Sequence, residues 1–423
     1  MVPNLQFSHP FPSMNTLPSA IADKPELDTS FTSTGAKLFF HQEAMSALRD
    51  GKGRPISAWC APTDVCNHRC AFCSVGERVG DVLRFEQIKN FIDQLVPRGL
   101  KSITFSGGGN PLIYRCKESG ATIETVIEYA HDQGLEVAMI TNGMPLVEYE
   151  QETQYIYHPA VLDRMPEGAR NELKNGHVEV RKSWKNLSPR HLDMLTWCRI
   201  SMSGLDHNHK EQEVFVPDFD PTKTALGFSW IMSDGYEEPT HKHGWVSTPE
   251  DVKTPGGKFI DAMDRLPWIE ERIKHYVEKH NPRYVRLLTN CLQPERIASR
   301  HAILEEMAAR ISPVCFSQNK PPRQPKKCFK VLTRPCLNAD GWVYPCDSTV
   351  LNRTAGHKFG SEWRICPGAE VGEMLDHPEK YAMPENICPG CVFGDQTDLI
   401  NDVVNGLPTP LPEGSPPEHV NFI

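Results

Sequence analysis

The sequence predicts an α/β fold, a partial (β/α)6 barrel of the TIM type with a small cysteine-rich domain at its carboxyl end. Strand-like and helix-like patterns alternate six times between residues 55 and 312. Such repeats imply parallel strands joined by right-handed crossovers. Beyond residue 313 the alternation stops and seven cysteines follow before residue 400. The 423-residue chain is long enough to hold both parts.

Six short apolar segments are predicted as the strands of the barrel. In chain order they are residues 56–63, 102–105, 135–141, 198–202, 225–232 and 284–289. Helices are predicted between or after them, because apolar residues recur there at the spacing of one helix face. The apolar faces of the first two helices consist of Ile88, Phe91, Ile92 and Leu95, and of Ile123, Val126, Ile127 and Ala130. Further helical patterns cover residues 190–196, 268–279 and 298–312.

Changes in composition divide the chain into parts. Residues 1–54 are rich in Pro, Ser and Thr, and we expect a partly disordered extension that contains one short helix. Residues 55–312 form the barrel core, with a polar and weakly patterned insertion at 148–188. Residues 313–400 form the cysteine-rich domain, and 401–423 form a Pro-rich tail.

The composition argues against several classes of protein. A net charge of -9 gives no overall positive field, so no nucleic-acid partner is expected. No apolar run reaches the roughly 20 residues of a membrane span, and the first residues lack the pattern of a secretion signal. We therefore expect a cytoplasmic protein without membrane association. In that reducing compartment the 14 cysteines favour metal ligation over disulfides.

The segment DVCNHRCAFC holds three of these cysteines, Cys66, Cys70 and Cys73, directly after the first predicted strand. Thiolates in so short a loop converge on one centre, which suits an iron–sulfur cubane. A cubane normally takes four protein ligands, so one position is left open. A zinc site completed by His68 or by a distant residue is the alternative.

Three further loops follow the next three predicted strands. Their sequences are SGGGNP (106–111), TNGMP (141–145) and SMSGLD (201–206). The carboxyl ends of parallel barrel strands meet at one rim, so we expect all four loops to lie together. Consecutive glycines leave backbone N–H and C=O groups bare, which allows the main chain to bind a small polar ligand.

The cysteine spacing and these loops resemble the radical S-adenosylmethionine (SAM) superfamily over about residues 55–300. Phe72 supplies the aromatic residue that is common before the last cysteine of the family motif. The resemblance implies a [4Fe-4S] cluster on Cys66, Cys70 and Cys73, with an open iron that binds SAM.

The same resemblance implies that the three later loops hold SAM. The family's glycine-rich loop usually reads Gly-Gly-Glu-Pro, and here Asn110 stands in place of the glutamate. Backbone carbonyls of this loop would bind the amino group of the methionine part, while Asn110 would take over the side-chain role. The implied SAM-binding residues are Gly107, Gly108, Gly109, Asn110, Asn142, Ser201, Ser203 and Asp206.

The cysteine-rich end resembles the auxiliary-cluster (SPASM) domains of the same superfamily. No cysteine follows Cys391, so the match is to the shortened twitch form with one auxiliary [4Fe-4S] cluster. The implied ligands are Cys328, Cys346, Cys388 and Cys391, with Cys336 as the rival to Cys328. A structural zinc ribbon is the alternative for this region.

The resemblance implies a radical SAM enzyme of the oxidoreductase or epimerase type. A 5'-deoxyadenosyl radical would abstract hydrogen from a polar small molecule such as a sugar or an aminocyclitol. A flavodoxin- or ferredoxin-like protein would be the electron donor. Cys291 is a candidate hydrogen donor to the substrate radical, although such a cysteine is more often a small buried hydrophobe. Peptide modification is the alternative activity, and a non-catalytic iron–sulfur or zinc protein is the alternative class.

Overall fold

The computed structural model of the chain describes most of the barrel and of the cysteine-rich region. The described residues are 26–68, 70, 72–73, 78–144, 150–155, 162–163, 166–173, 177–182, 187–204, 216–237, 245–246, 259–290, 293–319, 327–347, 363–385, 391, 393–407, 412 and 414–423. Three residues with predicted roles, Asp206, Cys291 and Cys388, lie outside this set.

Seven parallel strands form the main sheet. They are β1 (Ser57–Cys60), β2 (Ser102–Phe105), β3 (Glu136–Thr141), β6 (Trp197–Ser201), β7 (Ala225–Met232), β11 (Tyr284–Thr289) and β12 (Cys315–Ser317). Their spatial order is β12-β11-β7-β6-β3-β2-β1, and each neighbouring pair is parallel. The predicted α/β fold is therefore confirmed, with all six predicted strands present.

The seventh strand, β12, was not predicted. Its three residues are too short a segment for periodicity to show. Its register with β11 pairs Cys315 with Val285.

The sheet curves around an interior. Ala138 of β3 and Phe316 of β12 pack in one apolar cluster although three strands separate them in the sheet. Trp197 of β6 and Tyr284 of β11 belong to the same cluster. Successive residues of a strand point to opposite faces, so the intervening residues face the outer helices. This arrangement is a partial barrel with one inward and one outward face.

Helices cover the outward face. The chain contains α1 (Glu26–Phe31), α2 (Gly35–Leu38), α3 (Gln42–Arg49), α4 (Phe85–Leu95), α5 (Ile123–Asp132), α6 (Glu167–Leu173), α7 (Pro189–Leu192), α8 (Leu266–His280), α9 (Pro294–Ile311), α10 (Val371–Asp376) and α11 (Gly394–Val404). The apolar residues predicted to line α4 and α5 are the buried ones in both helices. The burial pattern inferred from spacing is thus confirmed.

The cysteine-rich region extends the main sheet. Strand β13 (Cys336–Leu337) pairs in parallel with β1, β14 (Trp342–Tyr344) pairs antiparallel with β13, and β15 (Cys366–Pro367) pairs antiparallel with β14. Main-chain hydrogen bonds therefore connect the two regions directly.

Smaller elements lie outside this sheet. Strands β4 (Glu150–Tyr155) and β5 (His177–Lys182) pair antiparallel within the segment predicted as an insertion. Strands β8 (Gly235–Glu237), β9 (Trp245–Val246) and β10 (Phe259–Ile260) form a separate three-stranded sheet. Among the described residues, no helix is both long and apolar enough to cross a membrane.

Both ends of the described chain pack below the sheet. The ring of Phe31 stacks on Tyr284 at 4.1 Å, and Phe422 contacts Trp197 edge-on at 5.3 Å. The ammonium of Lys37, which is 1% exposed, donates to the carbonyls of Ser30, His419 and Phe422. These contacts close the end of the barrel opposite the rim.

Candidate active site

The four predicted loops follow four adjacent strands. In the sheet these strands stand in the order β6-β3-β2-β1 and are parallel, so their carboxyl ends share one edge. The position expected for Gly204 Cβ shows how close the loops come. It lies 3.5 Å from Ser201 Oγ, 3.6 Å from Asn142 Cβ and 3.6 Å from His68 Nδ1.

Asn110 joins three of these loops. Its side chain is 1% exposed. Its Nδ2 donates to Asn67 Oδ1 at 3.0 Å, to Asn142 Oδ1 at 2.9 Å and to the carbonyl of Met144. Its Oδ1 accepts from Leu112 N at 3.2 Å and from Thr141 Oγ1 at 2.8 Å. Both ends of the amide are therefore used within the protein.

The glycine-rich loop lies directly against the cysteine loop. Gly109 N donates to Thr63 O at 3.1 Å, and Asn110 N donates to Val65 O at 2.8 Å. A Cβ on Gly109 would lie 1.9 Å from Val65 O, which no side chain can tolerate. Glycine is required here because two backbones approach closely.

Hydrogen-bond donors surround the sulfur of Cys66. Asn142 Nδ2 donates to Cys66 Sγ at 3.5 Å, and His68 N donates to it at 3.4 Å. Burial raises the pKa of the Cys66 thiol, while these donors and the charge of Arg78 act in the opposite direction. The loop therefore has groups that stabilise a thiolate or an anionic cluster.

Arg78 connects the last cysteine to the glycine-rich loop. Its Nη2 donates to Cys73 Sγ at 3.2 Å, and its Nε donates to Gly108 O at 3.1 Å. The sequence reasoning missed Arg78, because an arginine five residues beyond a cysteine has no motif of its own. Asn67 was missed for the same reason.

This donor set fits an iron–sulfur cluster. Each cysteine of a cubane binds a different iron, so the three thiols need only surround one face of the cluster. Three thiols with one guanidinium and one amide donor match the negative charge of such a group. Among the described residues, no three His, Cys, Asp or Glu side chains are grouped as ligands of a single ion.

An open cavity lies beside the cysteine loop. It encloses about 530 Å³, including open solvent, between Phe72, Ser203, the end of β7 and the start of α8. Ser203 Oγ accepts from Ile231 N at 2.7 Å, which joins the loop after β6 to β7. Trp230 and Trp268 add aromatic surface to the wall.

Among the described residues, three cysteines of the carboxyl-terminal region lie near Cys346. Cys346 and Cys391 are buried in one cluster with Phe393. Cys328, Cys336 and Cys346 interact electrostatically with one another, and burial raises the pKa of Cys336 to about 12. Both rivals for one ligand position, Cys328 and Cys336, therefore lie near Cys346.

Lys330 is a buried cation beside these thiols. It is 1% exposed, and its Nζ has no hydrogen-bond acceptor among the described residues. The ammonium lies 3.1 Å from the centre of the Phe393 ring. Burial lowers the pKa of Lys330, whereas Asp347, Cys346 and Cys336 raise it. An anionic group held by the thiols would compensate this charge, so the residues fit an auxiliary cluster.

Comparison with known proteins agrees with this site. Residues 60–165 match the family model of the radical SAM superfamily. An S-adenosylmethionine-dependent nucleotide dehydratase from Oncorhynchus mykiss is 23% identical over 267 residues, which cover 58% of this chain and 65% of the relative. A GTP 3',8-cyclase from Aeromonas hydrophila is 35% identical over 124 residues, which cover 27% of this chain and 34% of the cyclase. The chain thus spans less than two thirds of each relative.

Solved structures resemble the chain more loosely. SuiB of Streptococcus suis bound to the precursor peptide SuiA has 10% identity and a TM-score of 0.43, over 81% of this chain and 70% of SuiB. The enzyme anSMEcpe with bound AdoMet has 12% identity and a TM-score of 0.42, over 77% of this chain and 82% of anSMEcpe.

The family match and the curated relatives show that residues 60–165 resemble the radical SAM superfamily. The cofactors that this match implies are a [4Fe-4S] cluster and SAM.

Proposed function

We propose that this protein is an enzyme that cleaves SAM reductively and acts on an unactivated C–H bond of a polar small molecule. When bound, the cluster and SAM would supply a 5'-deoxyadenosyl radical that abstracts hydrogen from the substrate. The main support for the proposal is that Asn110 connects the cysteine loop, the glycine-rich loop and the Asn142 loop by hydrogen bonds.

Each group at the rim has a role in this proposal. Cys66, Cys70 and Cys73 hold three irons. The backbone of Gly107 and Gly108 binds the methionine part of SAM, with Asn110 as the support of the loop. The cavity beside Phe72 receives the adenosine part, because its wall combines aromatic and apolar side chains. Asn142, Ser201, Ser203 and Asp206 complete the polar contacts.

The curated relatives support the substrate class that we propose. Two are named as a nucleotide dehydratase and a GTP cyclase, which act on small molecules that contain a sugar. We therefore favour a sugar-containing substrate and a dehydrogenation or epimerisation. A peptide is the alternative substrate class, and a flavodoxin- or ferredoxin-like protein is the proposed electron donor.

An auxiliary [4Fe-4S] cluster is part of the proposal. Its ligands are Cys346, Cys388, Cys391 and either Cys328 or Cys336. The buried Lys330 Nζ, which has no hydrogen-bond acceptor among the described residues, supports an anionic group at this place. Such a cluster could accept the second electron of an oxidation.

The enzyme activity is tested by anaerobic reconstitution of the full chain, followed by dithionite and SAM. We expect 5'-deoxyadenosine from the wild-type protein and none above background from Cys66→Ala. Cys315→Ala is the matched control, since Cys315 lies in β12 away from the rim and should leave the yield unchanged. An intact cluster that yields no 5'-deoxyadenosine refutes the proposed activity.

Iron analysis of the same samples tests the auxiliary cluster. We expect about eight irons per chain in the wild-type protein and about four in Cys346→Ala, because each cubane holds four. About four irons in the wild-type protein would contradict the second cluster and leave the first in place.

A further inference from the structure

A second cavity lies on the inward face of the barrel, below the rim. It encloses about 550 Å³, including open solvent. Ile140 and Arg199 line this cavity. Ile140 stands two residues before Asn142, and Arg199 stands two residues before Ser201. Residues two apart in a strand share a face, so each lining residue lies below a rim residue. Two residues of a strand rise about 7 Å. This part of the cavity wall therefore lies about 7 Å below the rim.

Cationic side chains outnumber carboxylate side chains in the wall of this interior cavity. Four cations line it, Lys37, Arg199, Arg286 and Arg334, against the single carboxylate side chain of Asp347. The whole chain has a net charge of -9, so this concentration of positive charge is local. Local positive charge in a low-dielectric pocket attracts anions.

Two of the four cations have structural partners inside the protein. Lys37 donates to three carbonyl oxygens at 2.8 to 3.0 Å and ties the two chain ends together. Arg286 Nη1 donates to Gln318 Oε1 at 3.1 Å.

Arg199 and Arg334 also have partners, since Arg199 hydrogen-bonds the side chain of Tyr284 and Arg334 pairs with Asp347, but each keeps donors that these partners do not satisfy. They are 7% and 5% exposed, so more than nine tenths of each is buried. Among the described residues, Arg199 Nε and both Nε and Nη1 of Arg334 lack a hydrogen-bond acceptor. Arg334 Nη1 is 3.6 Å from Asp347 Oδ1, an ion pair without a hydrogen bond. Buried donors without acceptors destabilise a protein unless a ligand satisfies them.

The protein also holds Arg199 in place. The Arg199 guanidinium carbon lies 5.6 Å from the centre of the Trp197 ring. In the neighbouring strand, Arg199 stands beside Gly227, and a Cβ on Gly227 would lie 2.1 Å from the Tyr284 ring. The missing side chain at Gly227 therefore makes room for Tyr284 next to the arginine.

We propose that the interior cavity binds the phosphate groups of the substrate, with Arg199 and Arg334 as the main ligands. Guanidinium groups match phosphate oxygens in pairs, and both arginines keep buried donors that Tyr284 and Asp347 do not satisfy. The aromatic rings of Trp197 and Phe393 in the wall suit the remainder of a ring-containing phosphorylated molecule. The inference rests on the proposed function, because it names the substrate class of that enzyme.

Calorimetric titration of the reconstituted full chain tests the proposal. The probes are tripolyphosphate, GTP, guanosine and citrate. We expect tripolyphosphate and GTP to bind, with guanosine and citrate at least tenfold weaker. Arg199→Gln and Arg334→Gln should each weaken tripolyphosphate binding tenfold or more. Arg190→Gln is the control, because its side chain is 71% exposed and pairs with Glu128 on the surface.

Thermal melting without ligand separates binding from a structural role. Arg199→Gln should melt close to the wild-type temperature, because removal of a buried donor without an acceptor offsets the loss of the contacts with Trp197 and Tyr284. A lower melting temperature together with unchanged phosphate binding would show that Arg199 is structural. Citrate binding as tight as tripolyphosphate, or no binding of any phosphate probe, also overturns the proposal.

The two proposals fail separately. Production of 5'-deoxyadenosine without phosphate binding refutes the interior site and leaves the enzyme activity intact. Phosphate binding that is lost in Arg199→Gln supports the interior site even if SAM is not cleaved.

Discussion

Asn110 is the residue at which the chain departs from the usual Gly-Gly-Glu-Pro loop. The sequence suggested that its side chain takes over a contact to SAM. In the structure its amide nitrogen and oxygen are both used to connect the loops after β1, β2 and β3. A buried amide can donate and accept at the same time, which a carboxylate cannot.

Replacing Asn110 with aspartate should disrupt the rim. Asn110→Asp keeps the shape of the side chain but directs a buried carboxylate at the oxygens of Asn67, Asn142 and Met144. We expect a loss of about 3 kcal/mol in the free energy of unfolding. Chemical denaturation measures it. Asn90→Asp, at an exposed position of α4, is the matched control and should have little effect.

Arg78 places a positive charge beside the cysteine loop. Arg78→Gln removes the positive charge and the donor to Cys73 Sγ. The reduced cluster should then be less stable, so we expect a lower midpoint potential and slower SAM cleavage. Potentiometric titration followed by EPR measures the potential. Arg84→Gln, on an exposed side chain nearby, should leave it unchanged, and an unaltered potential in Arg78→Gln would contradict this role.

At the scale of elements, the loops after β1 and β2 behave as one unit. Gly109 and Asn110 donate main-chain hydrogen bonds to Thr63 and Val65, next to Cys66 in the chain. The glycine-rich loop thus supports the cysteine loop, in addition to its proposed role of binding SAM through its backbone. The sequence assigned this loop only to SAM.

Gly109→Ala tests this unit. The added methyl group would meet Val65 O at 1.9 Å, so one of the two loops must move. We expect about 2 kcal/mol of destabilisation from the forced packing, with iron incorporation reduced at the first site. Iron analysis and melting together measure the effect. Gly168→Ala in α6 has open space around its Cβ and should change neither quantity.

At the scale of the whole molecule, the two described chain ends close the barrel below the interior cavity. His419 lies in this closure, with a backbone φ of 56° and its ring 5.2 Å from Phe31. Burial lowers the pKa of His419 to about 4, and Lys37 and Arg283 act in the same direction. Glu418 opposes them.

This histidine makes stability depend on pH. Its pKa is lower in the folded protein than the ordinary 6.5, so the unfolded chain binds more protons between about pH 4 and 6.5. The free energy of unfolding should therefore fall as the pH drops, by about 2 kcal/mol from pH 7 to pH 5. His419→Asn has no titrating group and tolerates the positive φ. The variant should lack this part of the pH dependence, and denaturation at both pH values measures it.

Local sequence patterns determined much of the fold. The alternation of apolar residues located six strands and the buried faces of α4 and α5, because burial of one face leaves a period in the chain. Cysteine spacing predicts a cluster site at the loop of Cys66, because ligands of one cluster must be close. The three-residue strand β12 left no such period.

Only the tertiary structure decided what depends on distant parts of the chain. It placed β13 beside β1, Arg78 against Gly108, and Lys330 among the carboxyl-terminal thiols. It also showed that Arg199 and Arg334, which are 135 residues apart in the chain, line the same cavity. Local patterns report which face of an element is buried. Local patterns do not report which residues face each other across the interior of the barrel. That depends on how the strands curve and pack.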